Sequence, residues 1–525
     1  MPGNAPETSR HLEVERKFDV VESTVTPSFE GIAAVAHVER SPTQSLDATY
    51  FDTPTQDLAR NKITLRRRTG GHDAGWHLKL PAGPDARTEI RAPLEASTED
   101  TVPADLLDVV LAIVRDRPVK PVARIATQRE SQVLYGAAGN ALAEFSNDHV
   151  KAWAAGAAED ADSGPVEQEW REWELELIET DGDAAGEGGN ELLSRLSNRL
   201  LDAGARPAGH GSKLARVLGS TVPPDDRRLP DDPVQRAVAE QVSELMVWDR
   251  AVRADAYDAV HQMRVTTRKI RSLLRDADES LGLTDGDFAW VLDELRELAG
   301  VLGVARDAEV LTQRYEAELD RLPAELVRGP VRERLVEGAQ RRYQTGWRRS
   351  LIAMRSQRYF RLLDALEALV AERPATAAGE EAAPPPVTID AAYKKVRKAA
   401  KAAAQAEQAA EAGELVEEIS EHHDPDEALH LIRKRAKRLR YTAAATGADE
   451  VSKQAKVIQT LLGDHQDSVV SREHLLHEAD AAQAAGEDTF TYGLLYQQES
   501  DLADSSRQQL GEALRKLDKS VKKAH

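Results

Sequence analysis

Charged and apolar residues alternate in five short stretches near the start of this 525-residue chain, and the alternation sorts the charges by face. In LEVERKF, side chains two apart point the same way, so Glu13, Glu15 and Lys17 share one face and Leu12, Val14, Arg16 and Phe18 the other. The same parity joins Arg66 with Arg68 in ITLRRRT, His77 with Lys79 in WHLKL, and Arg87 with Glu89 and Arg91 in RTEIR. It also joins Glu172, Glu174 and Glu176 in REWELEL. Gathered carboxylates suit Mg²⁺ or Mn²⁺, which take oxygen ligands in octahedral geometry. Arginine suits phosphate through its planar fork and lysine as a point charge. A metal held between carboxylates and a phosphate chain neutralises charge and polarises phosphorus toward attack by water.

A second set of charges repeats later in the chain. His261-Gln-Met-Arg264-Val-Thr-Thr-Arg268-Lys-Ile-Arg271 aligns without a gap to His430-Leu-Ile-Arg433-Lys434-Arg-Ala-Lys437-Arg438-Leu-Arg440. Histidine and cations at offsets 0, 3, 7 and 10 fall on one helical stripe. Met263 and Ile270, and likewise Ile432 and Leu439, supply an apolar seam beside each stripe. A downstream echo sets Leu302–Asp307 against Leu462–Asp467, with Arg306 facing Gln466. One basic helix face is ordinarily solvated surface. Two with the same spacing, in a chain of net charge −21, point to a polyanion held by local patches.

The elements that must position these residues change type along the chain. Before residue 219 the apolar period is two, broken by turn signals such as TGGHDAG and PAGPD. Many short antiparallel strands predict a barrel or sandwich. A charged strand face is normally the outer wall of a sandwich. Acidic strands at both ends with basic strands between them instead suit a barrel with a charged interior. After residue 233 apolar residues recur every three or four positions, as in VLDELRELAGVL, and alanine is abundant. Residues 219–233 and 373–387 read as linkers rich in proline, glycine and acidic residues.

Length predicts about three to four domain-sized units. The net charge of −21 argues against a general nucleic-acid coat, so no specific nucleic acid is expected. The absence of cysteine excludes disulfides and thiolate chemistry. No apolar run reaches the roughly 20 residues that span a bilayer, and the N-terminus lacks a signal-peptide core. The expectation is a cytoplasmic protein without a membrane partner; oligomeric state is not legible.

The first set of motifs resembles the CYTH family, the triphosphate tunnel metalloenzymes. Glu13-Val-Glu15-Arg-Lys17 matches its ExExK signature. Tyr50-Phe-Asp-Thr53, Leu65–Arg68, Leu78–Pro81, Arg87-Thr-Glu89, the Glu172–Glu176 run and Ser212-Lys213 follow in family order. The resemblance implies an eight-stranded antiparallel tunnel over residues 9–218 that acts on triphosphates with Mg²⁺ or Mn²⁺. It implies metal ligands at Glu13, Glu15, Glu174 and Glu176, with Glu172 and Asp148 as further candidates. Phosphate-gripping residues would be Lys17, Arg66, Arg68, Lys79, Arg87 and Lys213, and the catalytic set Glu13, Glu15, Lys17 and Lys79. The family places one more arginine in the strand RIATQRES, where Arg124 and Arg129 have opposite parity. Arg129 is favoured, with Arg124 in reserve. Lys151–Gln168 reads as an enlarged loop.

The repeated helices resemble the CHAD domain, the conserved histidine α-helical domain, over residues 234–515. That resemblance implies two pseudo-symmetric helical bundles, about 234–372 and 388–515, with polyphosphate held by His261, Arg264, Arg268, Arg271, His430, Arg433, Lys434, Lys437, Arg438 and Arg440. The expected fold is α+β in two parts, a β tunnel barrel and then an all-α pair of bundles. The expected function is metal-dependent hydrolysis of inorganic triphosphate or short polyphosphate, with polyphosphate bound by the helices. Polyphosphate granules are the expected place of association. The alternatives are an adenylate cyclase or organic triphosphatase on the same barrel, or a non-catalytic polyphosphate-binding protein.

Overall fold

A computed structural model describes residues 9–83, 85–154, 167–178, 187–219, 222, 233–276, 285–371, 389–411 and 425–524. The expected linker 373–387, most of 219–233 and the centre of the expected loop 151–168 lie outside these residues.

The strands are β1 (Ser9–Val20), β2 (His37–Arg40), β3 (Gln44–Asp52), β4 (Thr64–Thr69), β5 (Gly75–Pro81), β6 (Ala86–Ala92), β7 (Lys120–Tyr135), β8 (Ala141–Ala154), β9 (Glu167–Leu177) and β10 (Arg206–Pro207). Five helices lie among or directly after them: α1 (Asp57–Arg60), α2 (Ala104–Val109), α3 (Leu111–Val114), α4 (Glu187–Asp202) and α5 (Lys213–Leu218). All pairings are antiparallel, in the order β1-β6-β5-β4-β3-β7-β8-β9, and β9 returns to β1. Eight strands therefore close into a barrel, as the alternating charges require.

Closure falls on β1. Its first half, Ser9–Val14, pairs with β6, and its second half, Glu15–Val20, pairs with β9. The apolar faces of the strands turn outward and are covered. Val14, Phe18, Phe145, Trp173 and Leu175 pack under Leu193, Leu196 and Leu200 of α4. Leu65, Trp76 and Leu78 pack under Leu106 of α2, Val114 of α3 and Val110 between them. With both apolar faces committed to outer cores, the charged faces are left to line the interior.

The helical region comprises α6 (Pro233–Arg253), α7 (Ala259–Asp276), α8 (Asp285–Arg321), α9 (Gly338–Met354), α10 (Gln357–Ala371), α11 (Ile389–Glu411), α12 (Pro425–Ala445), α13 (Asp449–Ala484) and α14 (Phe490–Lys523). By compactness the chain divides into Met1–Ala277, Leu283–Ala299 and Leu351–Arg373 on one side, and Asp278–Gly282, Gly300–Ser350 and Pro374–His525 on the other. The first unit thus holds the barrel together with α6, α7 and α10. Ion pairs of two buried arginines join them: Arg253 of α6 donates to Asp108 of α2 at 3.1 Å, and Arg115, after α3, pairs with the exposed Asp364 and Glu367 of α10. In the second unit Val396, Ile432, Leu439, Ile458, Leu462 and Leu517 form one seam through α11, α12, α13 and α14. Among the described residues no helix is long and apolar enough to cross a membrane.

Candidate functional site

The barrel interior collects the charges that the strand parity sorted. Glu13, Glu15, Lys17, Arg66, Arg68, Lys79, Arg87, Glu89, Arg91, Arg129, Glu174, Glu176 and Lys213 all line one tunnel. Register brings residues from distant stretches face to face. Glu15 lies opposite Glu176 and Lys17 opposite Glu174 across the β1–β9 seam. Asp148 lies opposite Glu172 on β8 and β9, and Glu13 opposite Arg87 on β1 and β6.

Lys213 reaches the tunnel from a helix. Ser212 caps the N-terminus of α5 by accepting from the Ala215 amide at 3.1 Å, which fixes the first turn. Leu214, Val217 and Leu218 then pack against the barrel, and Lys213 is carried inward with them. Its Nζ sits among three carboxylates, 2.8 Å from Asp148 and 2.7 Å from both Glu172 and Glu174. Arg129 forks onto Asp148 at 2.8 and 2.7 Å and reaches Glu174 as well. Lys17 pairs with Glu15 at 2.8 Å and with Glu174, and Lys79 pairs with Glu13.

The protonation states follow from burial set against these partners. Burial pushes Glu15 up, but Lys17 and Lys79 overcome it and hold the carboxyl at about 2. Glu174 is likewise held well below the usual carboxylate range by Lys17, Lys213 and Arg129. Glu176 goes the other way. Burial, with Glu13 and Glu15 adjacent, raises it to about 7, more than Lys79 can offset. Glu13 is raised too, chiefly by burial and by Glu89. Burial beside Arg66 and Arg129 lowers Arg68 to about 9.

This imbalance tests the fit of a divalent cation. Glu13 and Glu176 stay raised although Lys79 acts on both, so a metal beside them and Glu15 supplies charge that the nearby cations do not. All the donors are carboxylate oxygens, the set that Mg²⁺ and Mn²⁺ favour. The oxygens of Asp148, Glu172 and Glu174 also converge within 4.8 Å of one another. There the Lys213 ammonium already sits, so a metal at that triad replaces the lysine.

One candidate falls outside the tunnel. Arg124 lies on the outer face of β7, where it is exposed, pairs with Asp47 and stacks 5.9 Å from the Trp153 ring centre. Arg129 is an odd number of positions away and so points inward; strand parity separates the two. Several tunnel residues carried no role in the sequence reading. Glu89 is fully buried and lies 2.7 Å from His77 and 3.0 Å from His11, and Arg91 pairs with it. Tyr50 accepts from Arg66 at 3.3 Å. Glu89 shares the parity of Arg87 and Arg91, which was the available signal.

On the helices, each stripe lies beside its buried seam. Met263, Ile270, Ile432 and Leu439 are buried. His261, Arg264, Arg271, His430, Arg433, Lys437 and Arg440 are half-buried, and Arg268, Lys434 and Arg438 are exposed. Burial and the neighbouring Lys434 and Arg433 push His430 below the usual imidazole value. The guanidinium of Arg433 lies over Gly463 so closely that a β-carbon there would meet it at 3.4 Å. That glycine belongs to the downstream echo, which gives the second stripe its backing.

Comparison with known proteins agrees with this division. The CYTH domain profile matches residues 11–204 and the CHAD domain profile residues 236–476. "Uncharacterized protein MT2285" of Mycobacterium tuberculosis (strain CDC 1551 / Oshkosh) is 73% identical over 530 residues, covering 100% of both chains. Among solved structures, PptA from Streptomyces chartreusis is 20% identical with a TM-score of 0.39, over 54% of this chain and 98% of that one. The CHAD domain from the plant Ricinus communis is 23% identical with a TM-score of 0.37, over 54% and 90%. CYTH proteins are metal-dependent enzymes of the triphosphate tunnel type. With the closed charged barrel first and the repeated basic helices after it, this chain belongs to the CYTH–CHAD proteins.

Proposed function

We propose that the tunnel hydrolyses inorganic triphosphate or short polyphosphate, and that the basic stripes of the helical region bind longer phosphate chains. One observation carries the first part. Among the described residues the tunnel is lined by eight cations and six carboxylates, and the one aromatic among them, Tyr50, has its hydroxyl turned to Arg66. A base or thiazole ring needs a flat apolar surface to stack on, and the other apolar lining residues are Leu46, Ala48 and Ile125. A bare phosphate chain needs none. That favours an inorganic substrate over a nucleotide or an organic triphosphate.

Arg66, Arg68, Arg87, Arg129, Lys17 and Lys79 would hold the chain by its oxygens, with arginine forks fixing its orientation. Glu13, Glu15 and Glu176 would hold Mg²⁺ or Mn²⁺, which when bound supplies charge neutralisation and polarisation of phosphorus. In such transfers positioning and electrostatics provide most of the rate. Several cations aimed at the phosphoryl oxygens in a desolvated tunnel are preorganised for that purpose. Phosphate release from tripolyphosphate, ATP, thiamine triphosphate and long polyphosphate, with each metal, tests the assignment. Tripolyphosphate should turn over fastest; faster release from ATP or thiamine triphosphate would overturn it.

A further inference from the structure

The second unit contains a groove that the phosphate chemistry above does not use. It runs between α11 and α14, has a volume of about 950 Å³, and draws every lining residue from those two helices. Its base is apolar: Val396 is fully buried, with Tyr393, Ala400 and Leu514 half-buried beside it. Its edges are basic. Lys394, Arg397, Lys398, Lys401, Arg515 and Lys519 are exposed; among the described residues none makes an ion pair within 4 Å, and Arg397 and Arg515 act on Asp518 and Glu512 only from farther off. Among the described residues the one acid in the lining, Asp518, is taken up by Lys522 at 2.6 Å and by the Tyr393 hydroxyl at 2.6 Å. Seven cations against one acid leave the lining strongly positive, and in a chain of net charge −21 they form a local field of opposite sign.

The first unit shows what the corresponding face can receive. The internal repeat pairs α7 with α12 and α8 with α13, so α6 and α10 correspond to α11 and the end of α14. There the short helices α2 and α3 pack on α6. Asp108 of α2 accepts from Arg253 at 3.1 Å and Arg355 at 2.8 Å, while Arg115 donates to Asp364 and Glu367.

We propose that the α11–α14 groove docks an acidic amphipathic helix of a partner protein. The partner's apolar stripe lies on Val396, Ala400 and Leu514, and its carboxylates meet the six cations. A helix fits better than a phosphate chain, because a phosphate chain has no apolar surface to bury on that base. The surface is independent of the tunnel and of the α12 stripe.

The test uses the full-length protein and a labelled peptide of about 18 residues, with leucine at helical spacing and glutamate elsewhere. A same-composition peptide with scrambled order serves as control. Anisotropy titration should show the ordered peptide binding at least about tenfold tighter than the scrambled one, a difference of about 1.4 kcal/mol. Lys398→Glu with Arg515→Glu should weaken it by about tenfold or more, and Leu514→Asp by a similar factor. Tripolyphosphate hydrolysis and long-polyphosphate affinity should stay at wild-type values. No binding of the ordered peptide to folded wild-type protein overturns the proposal, and so does equal binding of the scrambled one. A loss of polyphosphate affinity as large as the peptide's would instead assign the groove to phosphate.

Discussion

The tunnel and the face of α12 use the same side chains under opposite conditions. In the tunnel, Lys213 is 9% exposed and has three carboxylate oxygens within 2.8 Å. On α12, Lys434 and Arg438 stand in water, and Arg433 and Lys437 are half-buried. Two unit charges at 4 Å interact by about 1 kcal/mol in water but about 4 kcal/mol at the effective dielectric of a protein site. A charge lost from the tunnel therefore disturbs neighbours that cannot recruit solvent. A charge lost from the helix face is replaced by water and salt. Under the proposed function, the tunnel would fix one short ligand in one geometry and the helix face would hold a long one loosely.

The largest effect should come from the carboxylates assigned to the metal. Glu13→Gln with Glu15→Gln should lower metal-dependent phosphate release by at least about 10³-fold while circular dichroism stays unchanged. A folded double variant with wild-type turnover would sink the metal assignment. Next comes Lys213→Met, which leaves Asp148, Glu172 and Glu174 without their shared ammonium. Breaking a buried charge network of this kind should cost about 3 kcal/mol in denaturant unfolding at neutral pH. The loss should shrink in acid, where the stranded carboxylates take up protons. A cost below about 1 kcal/mol would mean that solvent reaches the triad and would narrow the contrast with α12.

A smaller effect tests whether the helical unit has desolvated charges of its own. His474 accepts from Arg342 and lies 2.9 Å from the Tyr315 hydroxyl, and burial with Arg342 lowers it to about 4. An unfolded histidine titrates near 6.5, so between these values the unfolded chain binds more protons. Stability from this site is therefore complete above about pH 6.5 and is lost as pH falls toward 4, by about 3 kcal/mol at most. His474→Phe should flatten that part of the profile. The smallest effect belongs to the stripes. Arg264, Arg268 and Arg271 changed together to Ala should weaken long-polyphosphate binding about tenfold at low salt, and so should Arg433, Lys437 and Arg440. Both losses should fade at physiological ionic strength, where the Debye length is about 8 Å. Wild-type affinity in both variants would leave the stripes as plain solvated surface.

Much of the tunnel was legible because strand parity is local. Glu13, Glu15 and Lys17 point together in any strand that contains them, and Arg66 with Arg68 likewise. Arg124 and Arg129 show the limit. Parity said that only one could face inward, and the pairing of Arg129 with Asp148 across β7 and β8 decided which. Glu89 was visible as a face-mate of Arg87, yet nothing local marked it as fully buried. Burial depends on which strands close over a residue, and that is set by long-range register.

By itself the sequence determined the change from period two to helical period near residue 233, the charged faces of the strands and the spacing of both stripes. These are repeats of one or two turns or pleats, and neighbouring residues alone specify them. Only the tertiary structure decided that β1 is shared between β6 and β9, so that Glu13 and Glu15 sit on either side of the closing seam. It alone placed the ammonium of a helical Lys213 among carboxylates of β8 and β9, and left Glu176 without comparable compensation. It also grouped α6, α7 and α10 with the barrel, although the sequence shows a linker before them. Partners so far apart in the chain meet only when the sheet closes and the helices pack, and the electrostatics of the site are fixed by those meetings.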